Sequence, residues 1–244
     1  MNGLDLFSGI GGISLGLRDW VKTIAYCEIE PYLQRVLLSR MRSGDLEKGP
    51  IWDDIRTFDG SPFKGVVDIV HGGFPCQNIS GMGDKTGIAG KQSGLYWEMY
   101  RIFEEVEPKF IFLENVEAIK SRGGAEVVLS LAELGYSLRW CTLSAQEIGA
   151  IHKRNRFFLL AYTDRLSSFQ ADSQTFPIKT ERTARVGLAG HAGKVISRDD
   201  WKENSNELLR GNDGISHRVD RCRALGNAVV PDQAKWAFRK LVGI

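Results

Sequence analysis

Cys76 directly follows Pro75, at the end of the apolar run GVVDIVHGGF (residues 65–74). It precedes a stretch holding Gly81, Gly83, Gly87, Gly90 and Gly94. Proline fixes its own backbone and restricts the residue before it, so the thiol arrives on a stiff approach. The glycines suit a segment that closes over a substrate, or a surface loop with no such duty. Cys27, Cys141 and Cys222 lack this setting and read as buried, inert thiols. The cysteine spacings fit neither a zinc site nor a disulfide scaffold, and no metal is expected. Further along, FIFLENV (residues 110–116) carries Glu114 and Asn115 after an apolar and aromatic run. A carboxylate placed there is poorly solvated, which raises its pKa and lets it hold a proton; it reads equally as a buried acid satisfied by backbone amides. In HKRNRFF (residues 152–158), Arg154 and Arg156 are two apart and share a strand face. They can hold an anion or a carbonyl oxygen, or form a solvated basic edge. A thiol, a protonatable carboxyl and paired guanidiniums can together add a nucleophile to an electron-poor ring and absorb the charge that develops.

A second group of residues has the chemistry of a nucleoside pocket. DLFSGIGGISLGL (residues 5–17) places Gly9, Gly11 and Gly12 between a strand and a helix. Glycines there allow close approach of a ligand, or simply make a tight turn. Glu28 ends the next strand, IAYCE, where a carboxylate can bind two ribose hydroxyls. Asp54 follows the short apolar stretch PIW and can accept from an adenine amine. Singly, each acid also suits a helix N-cap or a solvated turn. Together they sit at successive strand ends beside a glycine-rich loop. Position 14 is Ser where a dinucleotide fingerprint has its third glycine, and no phosphate-cradling lysine follows, so a dinucleotide or a P-loop ligand fits less well.

These groups must be carried by an α/β scaffold. Short apolar runs alternate with helical patterns through Thr163: GLDLF, KTIAYCE, GVVDIVHGG, KFIFLENV, SLRWCTLSA and RFFLLAYT read as strands, and GISLGLRDW, PYLQRVLLSRM, LYWEMYRIFEEV and AEVVLSLAELGY as helices. That alternation implies a largely parallel sheet with helices on both faces. The periodicity lapses over residues 164–207 and returns with RALGNAVVP and the helix DQAKWAFRKLV. The expected division is therefore a catalytic domain (residues 1–163), a short recognition region (164–207) and a C-terminal segment returning to the first domain (208–244). The 244 residues suffice for one well-packed domain with a small appendage. A net charge of +2 decides nothing about nucleic acid, so any basic surface must be local. No apolar stretch reaches the ~20 residues of a membrane span, and no signal peptide is read, so a cytoplasmic protein without membrane association is expected.

A thiolate adding to carbon 6 of a cytosine would break the ring's aromaticity and make carbon 5 nucleophilic, with an acid at N3 and a cation near O2 absorbing charge. Carbon 5 could then take a methyl group from a sulfonium donor. Here the chain strongly resembles the cytosine-C5 DNA methyltransferase family, which uses S-adenosylmethionine and releases S-adenosylhomocysteine. DLFSGIGG, GGFPCQNIS, ENV, HKRNRFF and ALGNAVVP look like five of its signature blocks, in its order. The resemblance implies a Rossmann-like class I methyltransferase fold: a seven-stranded, mostly parallel sheet with an antiparallel terminal hairpin, plus a small recognition lobe. It implies that Cys76 is the nucleophile, that Glu114 faces N3 and the exocyclic amine, and that Asn115 braces the Pro-Cys loop. Arg156 would contact the base and Arg154 support it. Phe7 would stack on the cofactor's adenine, with Gly9, Ile10, Gly11 and Gly12 lining it, Glu28 on the ribose and Asp54 on the adenine amine. Gly73, Pro75, Leu95 and Asn227 would complete the pocket. The target base must leave the duplex to reach the thiol.

Two departures stand out. His152 replaces the glutamine often found in the HKRNR block. The recognition region after the RFF strand, residues 164–207 and so about 45 residues, is far shorter than the family usually has. Lys179, Arg182, Arg185, Arg198, Arg210, Arg218 and Arg221 are the candidate DNA phosphate contacts, each equally readable as ordinary charged surface. The expected partner is double-stranded DNA, the enzyme either pairs with a cognate restriction endonuclease in the same system or stands alone in a bacterium or phage, and the family precedent is a monomer on DNA. Alternatives are a tRNA cytosine methyltransferase, whose Cys-Phe-Thr tripeptide is absent, and a cofactor-binding DNA-binding module without turnover. A dehydrogenase reading rests on the glycine loop alone.

Overall fold

The computed structural model describes residues 1–75, 94–150, 153–163 and 228–243. Seven strands form one sheet in the order β3-β2-β1-β4-β5-β7-β6. They are β1 (Asn2–Leu6), β2 (Lys22–Cys27), β3 (Ile51–Trp52), β4 (Ile69–Gly72), β5 (Phe110–Val116), β6 (Tyr136–Ser144) and β7 (Asn155–Thr163). β3, β2, β1, β4 and β5 run parallel; β7 enters antiparallel between β5 and β6. This is the Rossmann-like sheet with an antiparallel terminal hairpin that the sequence implies. The strand expected over GVVDIVHGG is confined to Ile69–Gly72.

Among the described residues five α-helices cover the sheet: α1 (Gly12–Leu17), α2 (Pro31–Ser43), α3 (Leu95–Val106), α4 (Gly124–Glu133) and α5 (Pro231–Val242). Local sequence sets their ends. α2 and α5 each begin on a proline, whose missing N–H would be unpaired there anyway, and they close on Gly44 and Gly243 in the left-handed conformation.

Strand residues alternate between the two faces, and so do the cores they build. Leu4, Leu6, Val70, Ile111, Leu113 and Leu159 pack under α3 and α4, against Tyr96, Met99, Phe103, Val127 and Leu131. Ile69, Phe112, Phe158 and Leu160 face the other way, against Ile13 and Leu17 of α1 and Ala234, Ala237, Phe238 and Leu241 of α5. α2 closes a smaller cluster of Tyr26, Leu37, Met41 and Leu46. The chain leaves β1 toward α1 on one face, while α3, the next described helix after β4, covers the other. Their carboxyl ends therefore flank a crevice where the strand order reverses, the usual ligand position in such sheets.

Candidate active site

Residues 73–75 follow the carboxyl end of β4, beside the crevice. An added Cβ on Gly73 would lie 2.8 Å from Glu114 Oε2 and 3.3 Å from Glu114's backbone oxygen. The absence of a side chain at Gly73 is thus what lets the carboxylate lie over this backbone. The Phe74 ring is buried and tilts against Tyr96 of α3 at 5.1 Å. Buried Asn115 donates from Nδ2 to the Phe74 carbonyl (3.4 Å) while its Oδ1 accepts from Val116 N. The segment ending at Pro75 is therefore held from both sides, by Asn115 and by the Phe74–Tyr96 contact. Cys76, the next residue, lies outside the described residues, as do Cys222, Asn227 and all seven basic candidates, Lys179, Arg182, Arg185, Arg198, Arg210, Arg218 and Arg221.

Glu114 pairs with Phe158 across the β5–β7 ladder, so Arg156, two residues away, is its diagonal neighbour on the same face. Arg156 Nε lies 2.5 Å from Glu114 Oε1, with both side chains largely shielded from solvent. Neither atom has a hydrogen-bond partner of good geometry, because the N–H does not point along that short line; the contact is a Coulombic pair. Burial raises the Glu114 carboxyl above its ordinary range, while Arg156 and then Arg154 pull it down. Burial, and next the like charge of Arg156, lower the pKa of Arg154, with Glu114 opposing. The two arginines do share one face, as their spacing requires. Asn155 points to the other face, where it donates to Glu117 (2.7 Å) and lines, with Thr142, Ser144 and Lys153, a polar cleft of about 460 Å³. None of the candidate site residues lines that cleft.

On the other side of the crevice, the turn after β1 is tight. Phe7 has φ 53, an uncommon left-handed backbone for a residue with a side chain, and Gly9 and Gly11 follow at φ 56 and 80. Glu28, just past β2, is buried; its Oε2 accepts from Gly9 N (2.7 Å) and its Oε1 from Glu30 N (2.9 Å). Burial raises the Glu28 pKa against those two donors. Gly12 opens α1 against the backbone of Val229. Leu95 begins α3 and packs against the core. Asp54 behaves as the local alternative anticipates. It N-caps a 3-10 turn (Ile55–Thr57), accepting from Arg56 N, and it pairs with Arg56 Nε and Nη2, which lowers its pKa.

Several residues outside the candidate set help to hold the site. Arg40 of α2 donates to the Ile10 carbonyl (2.6 Å) and so fixes the glycine turn from behind. Ser14, which occupies the third glycine position of a dinucleotide fingerprint, donates to buried Asp5 (2.5 Å) and contacts Thr23 (3.0 Å). His71 closes this polar cluster, with Nδ1 3.4 Å from Asp5 Oδ1. The substitution of Ser for Gly at position 14 was the readable hint of this network. Cys27 is buried and its thiol is pushed up to about 12, chiefly by burial; Cys141 is half-buried and shifted the same way, in keeping with inert thiols.

Comparison with known proteins is consistent with this geometry. Over 239 residues the chain is 32% identical to the Type II methyltransferase M.CviJI of Paramecium bursaria Chlorella virus IL3A, covering 98% of this chain and 58% of that protein. It is 37% identical to M2.BsuMI of Bacillus subtilis (strain 168) over 170 residues, covering 66% of this chain and 42% of that one. The chain thus spans about half the length of these relatives. Among solved structures, a DNA modification methyltransferase encoded within an Escherichia coli prophage superposes with a TM-score of 0.56 at 26% identity, covering 68% of this chain and 48% of that one. S. pombe Dnmt2, at 22% identity and a TM-score of 0.54, covers 67% of this chain and 50% of its own and shares the fold. The profile described as C-5 cytosine-specific DNA methylase matches residues 1–218, and the chain belongs to that family.

Proposed function

We propose that the protein transfers a methyl group from S-adenosylmethionine to carbon 5 of cytosine in double-stranded DNA, through a covalent bond between Cys76 and carbon 6 of a flipped-out base. The observation that carries this reading is the Glu114 carboxyl, buried over Gly73, paired with Arg156 and raised in pKa, at the end of the segment that leads into Cys76. The family's own description supports cytosine carbon 5 and DNA as the target.

The cofactor pocket fits a nucleoside in part. Glu28 is a buried acceptor whose two oxygens each take one backbone N–H, leaving lone pairs for ribose hydroxyls. Phe7 offers a ring beside the Gly9–Gly12 turn. Asp54 fits less well, because its charge is already paired by Arg56. Gly73, Pro75, Leu95 and Asn227 would line the remainder. S-adenosylmethionine, when bound, supplies an electrophilic methyl on a sulfonium.

The chain's residues do the rest. The Cys76 thiolate forms a bond to carbon 6, and the ring's electron pair moves toward carbon 5 as Glu114 gives its proton to N3. Arg156, braced by Arg154, holds the carbonyl oxygen where charge gathers. After carbon 5 accepts the methyl and S-adenosylhomocysteine is left, N3 returns its proton to the Glu114 carboxylate; a water molecule then takes the carbon-5 proton, and the pair left behind restores the C5–C6 double bond as the C6–S bond breaks and the thiolate leaves. Asn115 keeps the approach to Cys76 in register. Residues 164–207 form the recognition region and 208–244 return to the catalytic domain, with the seven basic residues contacting phosphates. The resemblance adds action as a monomer, with or without a cognate endonuclease.

Incubation with tritiated S-adenosylmethionine tests the reading. Label should enter duplex DNA at cytosine and be abolished by Cys76→Ala. Label in tRNA instead, or cofactor binding without transfer to either, contradicts it.

A further inference from the structure

Gln233, in the first turn of α5, is wholly buried, although it follows Asp232 in what reads as an ordinary polar helix start. Its Nε2 donates to two backbone carbonyls on neighbouring strands: Leu143 on β6 (3.1 Å) and Arg154 just before β7 (2.8 Å). This is where the β6–β7 ladder runs out, its last pair being Ser144 with Asn155. The Arg154 carbonyl also accepts from Ala145 N (3.1 Å), so both strand ends and the helix meet on one oxygen. The other amide atom, Oε1, is buried with no hydrogen-bond partner. An unsatisfied buried acceptor is costly, and an apolar side chain of similar size would avoid that cost. What the amide adds is therefore the pair of donations. The turn that carries it is fixed in turn by α1: an added Cβ on Gly12 would lie 2.6 Å from the Val229 carbonyl, and Gly16 packs against the backbone of Pro231.

We infer that Gln233 is a positioning residue: by tying the Arg154 carbonyl to a turn that rests on α1, it sets the height and tilt at which Arg154 and Arg156 face Glu114. The inference rests on the proposed reading that these arginines act on the target base. It also places both halves of the site on one reference point, since α1 begins at the glycine turn.

The full-length protein bearing Gln233→Met, which keeps volume and loses both donors, tests this, alongside Gln233→Leu, a second side chain of similar size with no donor. Three quantities are measured: the single-turnover methylation rate at saturating cofactor, the S-adenosylmethionine Kd, and amide hydrogen exchange. The rate should fall about tenfold or more, because small misplacement of catalytic groups is costly. The Kd should stay within about twofold. Exchange should accelerate at Ala145, whose N–H bonds the Arg154 carbonyl, and stay slow in β4. A folded variant with a parental rate, or with unchanged exchange at Ala145, overturns the inference. Failure of both variants to fold assigns Gln233 to stability alone and also overturns it. A parent protein that methylates no DNA refutes the proposed function and this inference with it; an active parent with indifferent variants refutes this inference only.

Discussion

Glu114 shows how a single side chain acquires a role from its surroundings. Burial pushes its pKa up, and Arg156 at 2.5 Å limits how far. A raised pKa means that the carboxyl keeps its proton to higher pH than a solvated glutamate does. A step that needs this proton is therefore supported at low pH and lost as pH rises through the raised value. The single-turnover rate of the parent should show a falling limb at high pH. Glu114→Gln should lower that rate roughly a hundredfold, in line with loss of a positioned acid, and should remove the limb. A variant that keeps the parental profile would show that another group supplies the proton. Glu114 was legible in the sequence because an apolar run before an acid implies poor solvation. The pairing of Asp54 with Arg56 was less so: two residues of separation within a turn let a local guanidinium claim a carboxylate that strand-end logic had assigned to a ligand.

At the scale of elements, the site depends on β5 and β7 staying in register. Glu114 and Arg156 meet only because Glu114 pairs with Phe158; a slip of one residue would send one of them to the opposite face. Phe158 is wholly buried and stacks on Phe112 at 5.7 Å. Phe158→Ala should cost about 3–5 kcal/mol of stability, measured by urea unfolding. A loss below about 1 kcal/mol would mean that the site can collapse around the change. The shared face of Arg154 and Arg156 could be read from parity alone. Gln233 could not, because its burial depends on Gly12 and Gly16, more than two hundred residues earlier in the chain, letting α1 and α5 approach backbone to backbone.

In the whole molecule, alternating strands and helices imply a largely parallel sheet but do not say which strand lies beside which. The family resemblance adds the seven strands and the antiparallel terminal hairpin, while the place of β4 next to β1, and of β7 between β5 and β6, is read only from the structure. That order brings the glycine turn and the segment leading to Cys76 to adjoining strand ends, so cofactor and base would meet in one crevice. The central claim is that sulfur bonds to the base within it. Duplex DNA carrying 5-fluorocytosine tests this most directly, because fluorine at carbon 5 cannot leave as a proton and the thiolate cannot be expelled. With S-adenosylmethionine present, a denaturation-resistant complex should form whose nucleotide adduct maps to the Cys76 peptide by mass spectrometry. A preparation that methylates ordinary DNA but leaves no such adduct would contradict that claim.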